Sequence, residues 1–229
     1  MKQPTWIFFG TPEIARIVLE RIIDSGFIPV AIVTNPDRPA GRKKIITAPA
    51  VKQFAIDRAL NVPILQPEKL SEIREILTHL APDFFLVAAY GKIIPKNILN
   101  IAPMGTIGVH PSLLPLYRGP SPIQTAILEG APKTGVTLYL IDEKMDEGPI
   151  LAQEKLANYM PDALANTELS AKLATLGGEM AAKLMPKFVK GEAAPLPQDH
   201  SRATYTKKFV TEDGYVDAED LRIARTGDN

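Results

Sequence analysis

The sequence predicts an α/β domain built on a mostly parallel sheet with one antiparallel strand. The apolar run Trp6–Phe9 passes through Gly10-Thr11-Pro12 into a helical period and then a second apolar run, Pro29 to Val33. That is a strand, helix and strand within about 30 residues. Two further apolar runs, Asp83 to Ala89 and Thr106 to His110, follow helical segments and read as central strands. Gly135 to Ile141 alternates, and Ile150 to Lys155 returns after the polar turn Asp142 to Gly148, so this pair reads as antiparallel.

The elements follow in order. Thr11 reads as the N-cap and Pro12 as the first residue of a helix whose face is Ile14, Val18 and Ile22. Residues 35–49 hold four basic residues and three prolines without an apolar period, which predicts a long protruding loop before a helix from Ala50 to Leu60. Ser71 reads as the cap of a helix carrying Ile73, Ile76, Leu77 and Leu80. A helical turn over Ile94 to Leu99, a helix over Pro122 to Leu128 and a long helix over Thr167 to Val189 complete the set. Gly177 and Gly178 weaken the long helix by roughly 1 kcal/mol each relative to Ala, which points to close packing at that place. From Gly191 onward the prolines and weak periodicity read as a linker. Residues 211–229, with six acidic and two basic side chains, show no recognisable element.

Composition excludes several classes of function. The 229 residues carry 26 Lys+Arg against 26 Asp+Glu, so a polyanion can be met only by a local patch. With no Cys and three His, there is no disulfide, thiolate nucleophile or ligand cluster, and no metal is expected. No run approaches the roughly 18 apolar residues of a membrane span, and the N-terminal run is too short for a signal peptide. A cytoplasmic protein without a membrane partner is expected. The first turn lacks the second and third glycines of a dinucleotide fingerprint, and no phosphate-binding G-x-x-x-x-G-K-[ST] segment is present.

His110 stands at the carboxyl end of a central strand, the edge at which open α/β sheets place ligands. Asp146, in the turn after the next strong strand, could orient its imidazole, and Asp142 and Glu143 compete for that role. The alternative is structural: His110 bonds a backbone carbonyl and Asp146 shapes a turn. Ser112 lacks a nucleophile elbow and reads as part of a pocket wall. His79, near a helix C-terminus, reads as a surface imidazole. Arg38, Arg42, Lys43 and Lys44 concentrate positive charge on the protruding loop.

Five segments resemble the methionyl-tRNA formyltransferase family over about the first 205 residues. They are Ile7 to Pro12; Asn35-Pro36-Asp37-Arg38-Pro39-Ala40-Gly41-Arg42; Ala89-Tyr90-Gly91 with Ile94-Pro95; His110 to Pro115 with Tyr117-Arg118-Gly119; and Thr134 to Thr137 leading to Asp142-Glu143 and Asp146 to Ile150. The resemblance implies a Rossmann-like formyltransferase fold with helices on both faces of the sheet. It implies formyl transfer from 10-formyltetrahydrofolate to the α-amine of initiator methionyl-tRNA by a monomeric enzyme. His110 and Asp146 then become catalytic. Ser112, Leu113, Leu114, Pro115, Ala89, Tyr90, Gly91 and Asp142 become folate-binding, and Arg38, Arg42, Lys43 and Lys44 tRNA-binding.

Two departures stand out. The family places an asparagine two residues before the histidine, where its amide stabilises the tetrahedral intermediate; here Gly108 occupies that position. One lost oxyanion donor costs about 10²–10³ in turnover unless another group supplies the bond, and Gln124 is one candidate. The family also continues into a C-terminal β-barrel, absent from this chain, which gives the expectation of a catalytic domain over 1–190 and a linker and tail over 191–229. The rival readings are a 10-formyltetrahydrofolate hydrolase, a formyltransferase for an amino sugar or glycinamide ribonucleotide, and a folate- or tRNA-binding domain that has lost catalysis.

Overall fold

A computed structural model describes residues 4–41, 43–160 and 165–214. Seven strands form one sheet in the order β5 (Ile64–Leu65), β2 (Ala31–Val33), β1 (Trp6–Gly10), β6 (Phe84–Ala88), β7 (Thr106–His110), β8 (Gly135–Leu140) and β9 (Ile150–Lys155). The first five run parallel, and β8 is antiparallel to both its neighbours. This is the mostly parallel sheet with one reversed strand that the patterning predicts. The two-residue edge strand β5 carries no comparable signal, because so short a segment has no period to read.

Helices cover both faces, so every central strand is buried on both sides and reads as a continuous apolar run. On one face α1 (Glu13–Asp24), α2 (Ala50–Asp57), α5 (Pro122–Leu128) and α6 (Asn166–Val189) enclose Trp6, Phe8, Leu86, Leu138 and Phe188. On the other, α3 (Arg74–His79) and α4 (Lys96–Leu99) cover Ile7, Phe9, Phe85 and Tyr90. At Gly178 an added Cβ would lie 2.6 Å from Arg21 Cβ and 2.7 Å from the Val18 carbonyl; at Gly177 it would lie 2.7 Å from Val109. The paired glycines therefore let α6 touch α1 on one side and the sheet on the other.

Three local expectations differ. Pro12, not Thr11, is the N-cap of α1, because the Thr11 hydroxyl donates to the Tyr90 carbonyl at 3.1 Å and ties two strand ends together. Ser71 caps nothing: it lies inside a 3-10 turn, Leu70–Ile73, that leads into α3. The loop 35–49 contains an antiparallel hairpin of β3 (Arg38–Ala40) and β4 (Ile45–Thr47), exposed along both strands. Asp37 accepts from Lys52 at 2.8 Å and from Gln66 at 2.7 Å, anchoring the hairpin at its base.

The segment after α6 is fastened to the body. Leu196 exchanges both backbone hydrogen bonds with Ile150, and Arg118 bonds through its own N–H and carbonyl to Thr204 and Thr206. Of the acidic tail, 215–229 lies outside the described residues.

Candidate active site

β1, β6 and β7 end at one edge of the sheet, and a cavity of about 520 Å³ opens there between Ala88, Ala89 and Gly91 on one side and His110, Pro122 and Tyr139 on the other. Its size suits a drug-sized ligand. Ala89 at φ 44° and Gly91 at φ 82° turn the chain sharply out of β6, which brings main-chain groups to the cavity wall.

His110, the last residue of β7, is 6% exposed. Its Nε2 lies 2.8 Å from the Tyr117 carbonyl. A carbonyl only accepts, so Nε2–H is the donor and Nδ1 is the atom at which a proton is gained or lost. Nδ1 faces Asp146 Oδ2 at 3.6 Å. Both sequence readings thus coexist: the imidazole is held by a carbonyl and also faces the carboxylate.

Asp146 reaches the histidine because the loop between β8 and β9 folds back over the sheet. A Cβ on Gly148 would lie 1.7 Å from the Leu140 carbonyl, so only glycine permits this path. Asp146 itself adopts φ 55°, a left-handed conformation that aspartate tolerates better than most residues. Three groups hold it. Oδ2 accepts from Gly119 N–H at 2.7 Å, Oδ1 accepts from the Tyr139 hydroxyl at 2.6 Å, and its main-chain carbonyl accepts from Gln198 Nε2 at 2.8 Å. Burial, reinforced by the neighbouring Asp146 carboxylate, pushes the Tyr139 hydroxyl well above its ordinary pKa, so it remains a donor. Of the competing acids, Asp142 accepts from Lys144 N–H in an exposed turn, and Glu143 pairs with Lys96.

The other sequence-predicted residues divide between the cavity wall and its support. Ala89 and Gly91 line the cavity, with Gly108 and Gln124. Tyr90 turns its ring into the opposite core, edge-on to Phe9 at 5.5 Å, and burial raises its pKa to about 12. Ser112, Leu113, Leu114 and Pro115, expected at the folate, are not among the residues that line this cavity. The Ser112 hydroxyl donates to the Leu116 carbonyl at 2.6 Å, and Thr137 Oγ1 bridges Ser112 O and Leu114 N–H at 2.7 and 3.0 Å. Arg38 pairs with Glu68, whereas Lys43 and Lys44 are exposed at the hairpin tip. Arg42 lies outside the described residues. His79 is exposed at the end of α3.

Three contributors carry no assigned role in the sequence, although Arg118 belongs to one of the matching segments. Arg118, 1% exposed, donates to Gln198 Oε1 at 2.7 Å, to Tyr205 Oη at 3.0 Å and to His200 Nδ1 at 3.0 Å. Gln198 in turn holds the Asp146 and Gly148 carbonyls. Tyr139 reads from sequence as one more apolar residue of β8. Only the register that sets it opposite Gly108 shows its role.

Comparison with known proteins gives the family of the chain. The formyl transferase family profile matches residues 5–184. The chain is 46% identical over 213 residues to a methionyl-tRNA formyltransferase of Chloroflexus aurantiacus, covering 92% of this chain and 67% of the relative. It is 46% identical over 224 residues to one of Roseiflexus castenholzii, covering 96% and 70%. Among solved structures, phosphoribosylglycinamide formyltransferase from Bacillus Halodurans superposes with a TM-score of 0.63 at 22% identity, over 82% of this chain and 97% of that one. An N-formyltransferase from Helicobacter canadensis gives 0.66 at 20% identity, over 92% and 72%. At those identities the structures share the fold.

Proposed function

Because this chain belongs to the formyl transferase family, we propose that it transfers the formyl group of 10-formyltetrahydrofolate to the α-amine of methionyl-tRNA in translation initiation, with His110 and Asp146 as the catalytic pair. The observation that carries this reading is the facing of His110 Nδ1 and Asp146 Oδ2 at 3.6 Å, beside a cavity at the carboxyl edge of the sheet.

The reaction joins the substrate amine to the formyl carbon and breaks that carbon's bond to the donor nitrogen. The amine surrenders a proton as it bonds, and the departing nitrogen takes one up. With Nε2–H committed to the Tyr117 carbonyl, His110 exchanges that proton at Nδ1, and the fixed negative charge of Asp146 stabilises the protonated ring. The cavity offers apolar surface from Val87, Ile93 and Ile123, with main-chain groups at the Ala88 to Gly91 turn, a combination that suits a flat heterocycle bearing hydrogen-bonding edges. Lys43 and Lys44, exposed on the hairpin, supply phosphate contacts for the tRNA.

The test incubates the purified chain with 10-formyltetrahydrofolate, with and without methionyl-tRNA, and follows formyl-methionine and free formate. Formyl-methionine production that falls about 10²–10⁴-fold in His110→Ala is the expected result. Formate alone would assign a hydrolase. Neither product, with folate bound, would leave a binding domain.

A further inference from the structure

Gly108 of β7 and Tyr139 of β8 are cross-strand partners. A Cβ at position 108 would lie 2.4 Å from Tyr139 Cε1, 2.8 Å from its Cζ and 3.0 Å from Ile141 Cγ1. The phenol ring therefore fills the volume that any side chain at 108 would need, the asparagine suggested by the resemblance included. The ring is 6% exposed, meets His110 edge-on at a centroid separation of 6.4 Å, and carries its hydroxyl to Asp146 Oδ1.

The carboxylate needs such a partner. Oδ2 is committed to Gly119 N–H on the side of His110, and a single bond leaves a carboxylate free to rotate about it. The second bond, to Oδ1 at 2.6 Å, fixes the plane of the group and hence the lone pair that His110 Nδ1 meets. A phenol whose proton is held tightly by burial is suited to that task.

We propose that Tyr139 is a positioning residue of the active site, matched to Gly108: the phenol orients Asp146 toward His110, and glycine at 108 is what admits the ring. This rests on the formyl-transfer reading. Set against the asparagine that the resemblance suggests at 108, the polar group of this site stands on the neighbouring strand and acts through Asp146.

The test uses the full chain. Tyr139→Phe keeps the ring and removes the hydroxyl. Its kcat for formyl-methionine should fall roughly 10- to 100-fold, the factor carried by a hydrogen bond to a charged group. Its KM for 10-formyltetrahydrofolate should stay within about twofold, since the hydroxyl serves the reaction and not the fit. In parallel, Gly108→Ala should lower the midpoint of urea unfolding in the native background and do so far less in a Tyr139→Leu background, where the ring is gone. An unchanged kcat in Tyr139→Phe would overturn the positioning role, and an equal cost of Gly108→Ala in both backgrounds would overturn the pairing. If the native chain makes no formyl-methionine, the formyl-transfer reading fails and takes the positioning role with it. The unfolding cycle then still decides whether the two residues are matched.

Discussion

Replacing Arg118 by methionine removes one buried cation while keeping an unbranched apolar stem in its place. The guanidinium is 1% exposed and donates twice to Gln198 Oε1, at 3.2 and 2.7 Å, once to Tyr205 Oη and once to His200 Nδ1. Its ion pair with Glu147 is longer, 3.6 Å, and Glu147 is partly exposed, so that pair adds little. Methionine leaves Gln198 Oε1 buried without its donor. A hydrogen bond to a charged group is worth about 1.5–3 kcal/mol, and stranding a buried polar partner costs about 1–3 kcal/mol more. The bonds share one acceptor and are not additive, so a total near 3–4 kcal/mol is expected, on the order of 10 °C in Tm for a chain of this size. Because Gln198 also holds the Asp146 carbonyl, kcat should fall with stability. Thermal unfolding by circular dichroism and a turnover assay below the transition provide the check. A Tm lowered by less than about 2 °C with kcat intact would refute the view that this cage joins residues 196–206 to the catalytic loop.

Other outcomes follow from the same structure. Lys43→Glu and Lys44→Glu, at the exposed hairpin tip, should weaken tRNA binding and lower the salt slope of log affinity by about one for each phosphate no longer neutralised, while folate affinity is unchanged. Filter binding across a salt series measures both. Burial raises Tyr90 and Tyr117 to about 12 and also pushes Tyr139 well above its ordinary value, so these three should ionise late in an alkaline titration of phenolate absorbance. Since the folded values exceed the unfolded value near 10, the associated stability is fully present below about pH 10 and is lost as pH rises through the folded values. Ionisation of these three near pH 10 in the folded chain would contradict this. Gly178→Ala should destabilise despite its better helix propensity, by about 1–2 kcal/mol, because the Val18 carbonyl at 2.7 Å belongs to the backbone and cannot move aside. Urea unfolding tests the sign.

By itself the sequence determined what local patterning controls. The order of strands and helices follows from apolar runs and their periods, and β7, α5 and β9 occupy the residues those runs predict. The Gly177-Gly178 pair announced a close helix contact, since glycine inside a helix is costly without one. The position of His110 at a strand end followed from the same reading. Spacing alone leaves Asp142, Glu143 and Asp146 in competition; the resemblance points to Asp146, and the tertiary structure is what sets its carboxylate against that histidine. That placement depends on a loop folding back at Gly148, a path made of backbone proximity that no periodicity records. It alone turned a proline-rich stretch into the hairpin β3–β4 and tied an apparent linker to Arg118. Those bonds join residues some 80 positions apart, and their value comes from burial that only the finished fold creates. Tyr139 shows the division most sharply. Its alternation in β8 was legible, but its hydroxyl became part of the site only when strand register set it opposite a glycine and beneath Asp146.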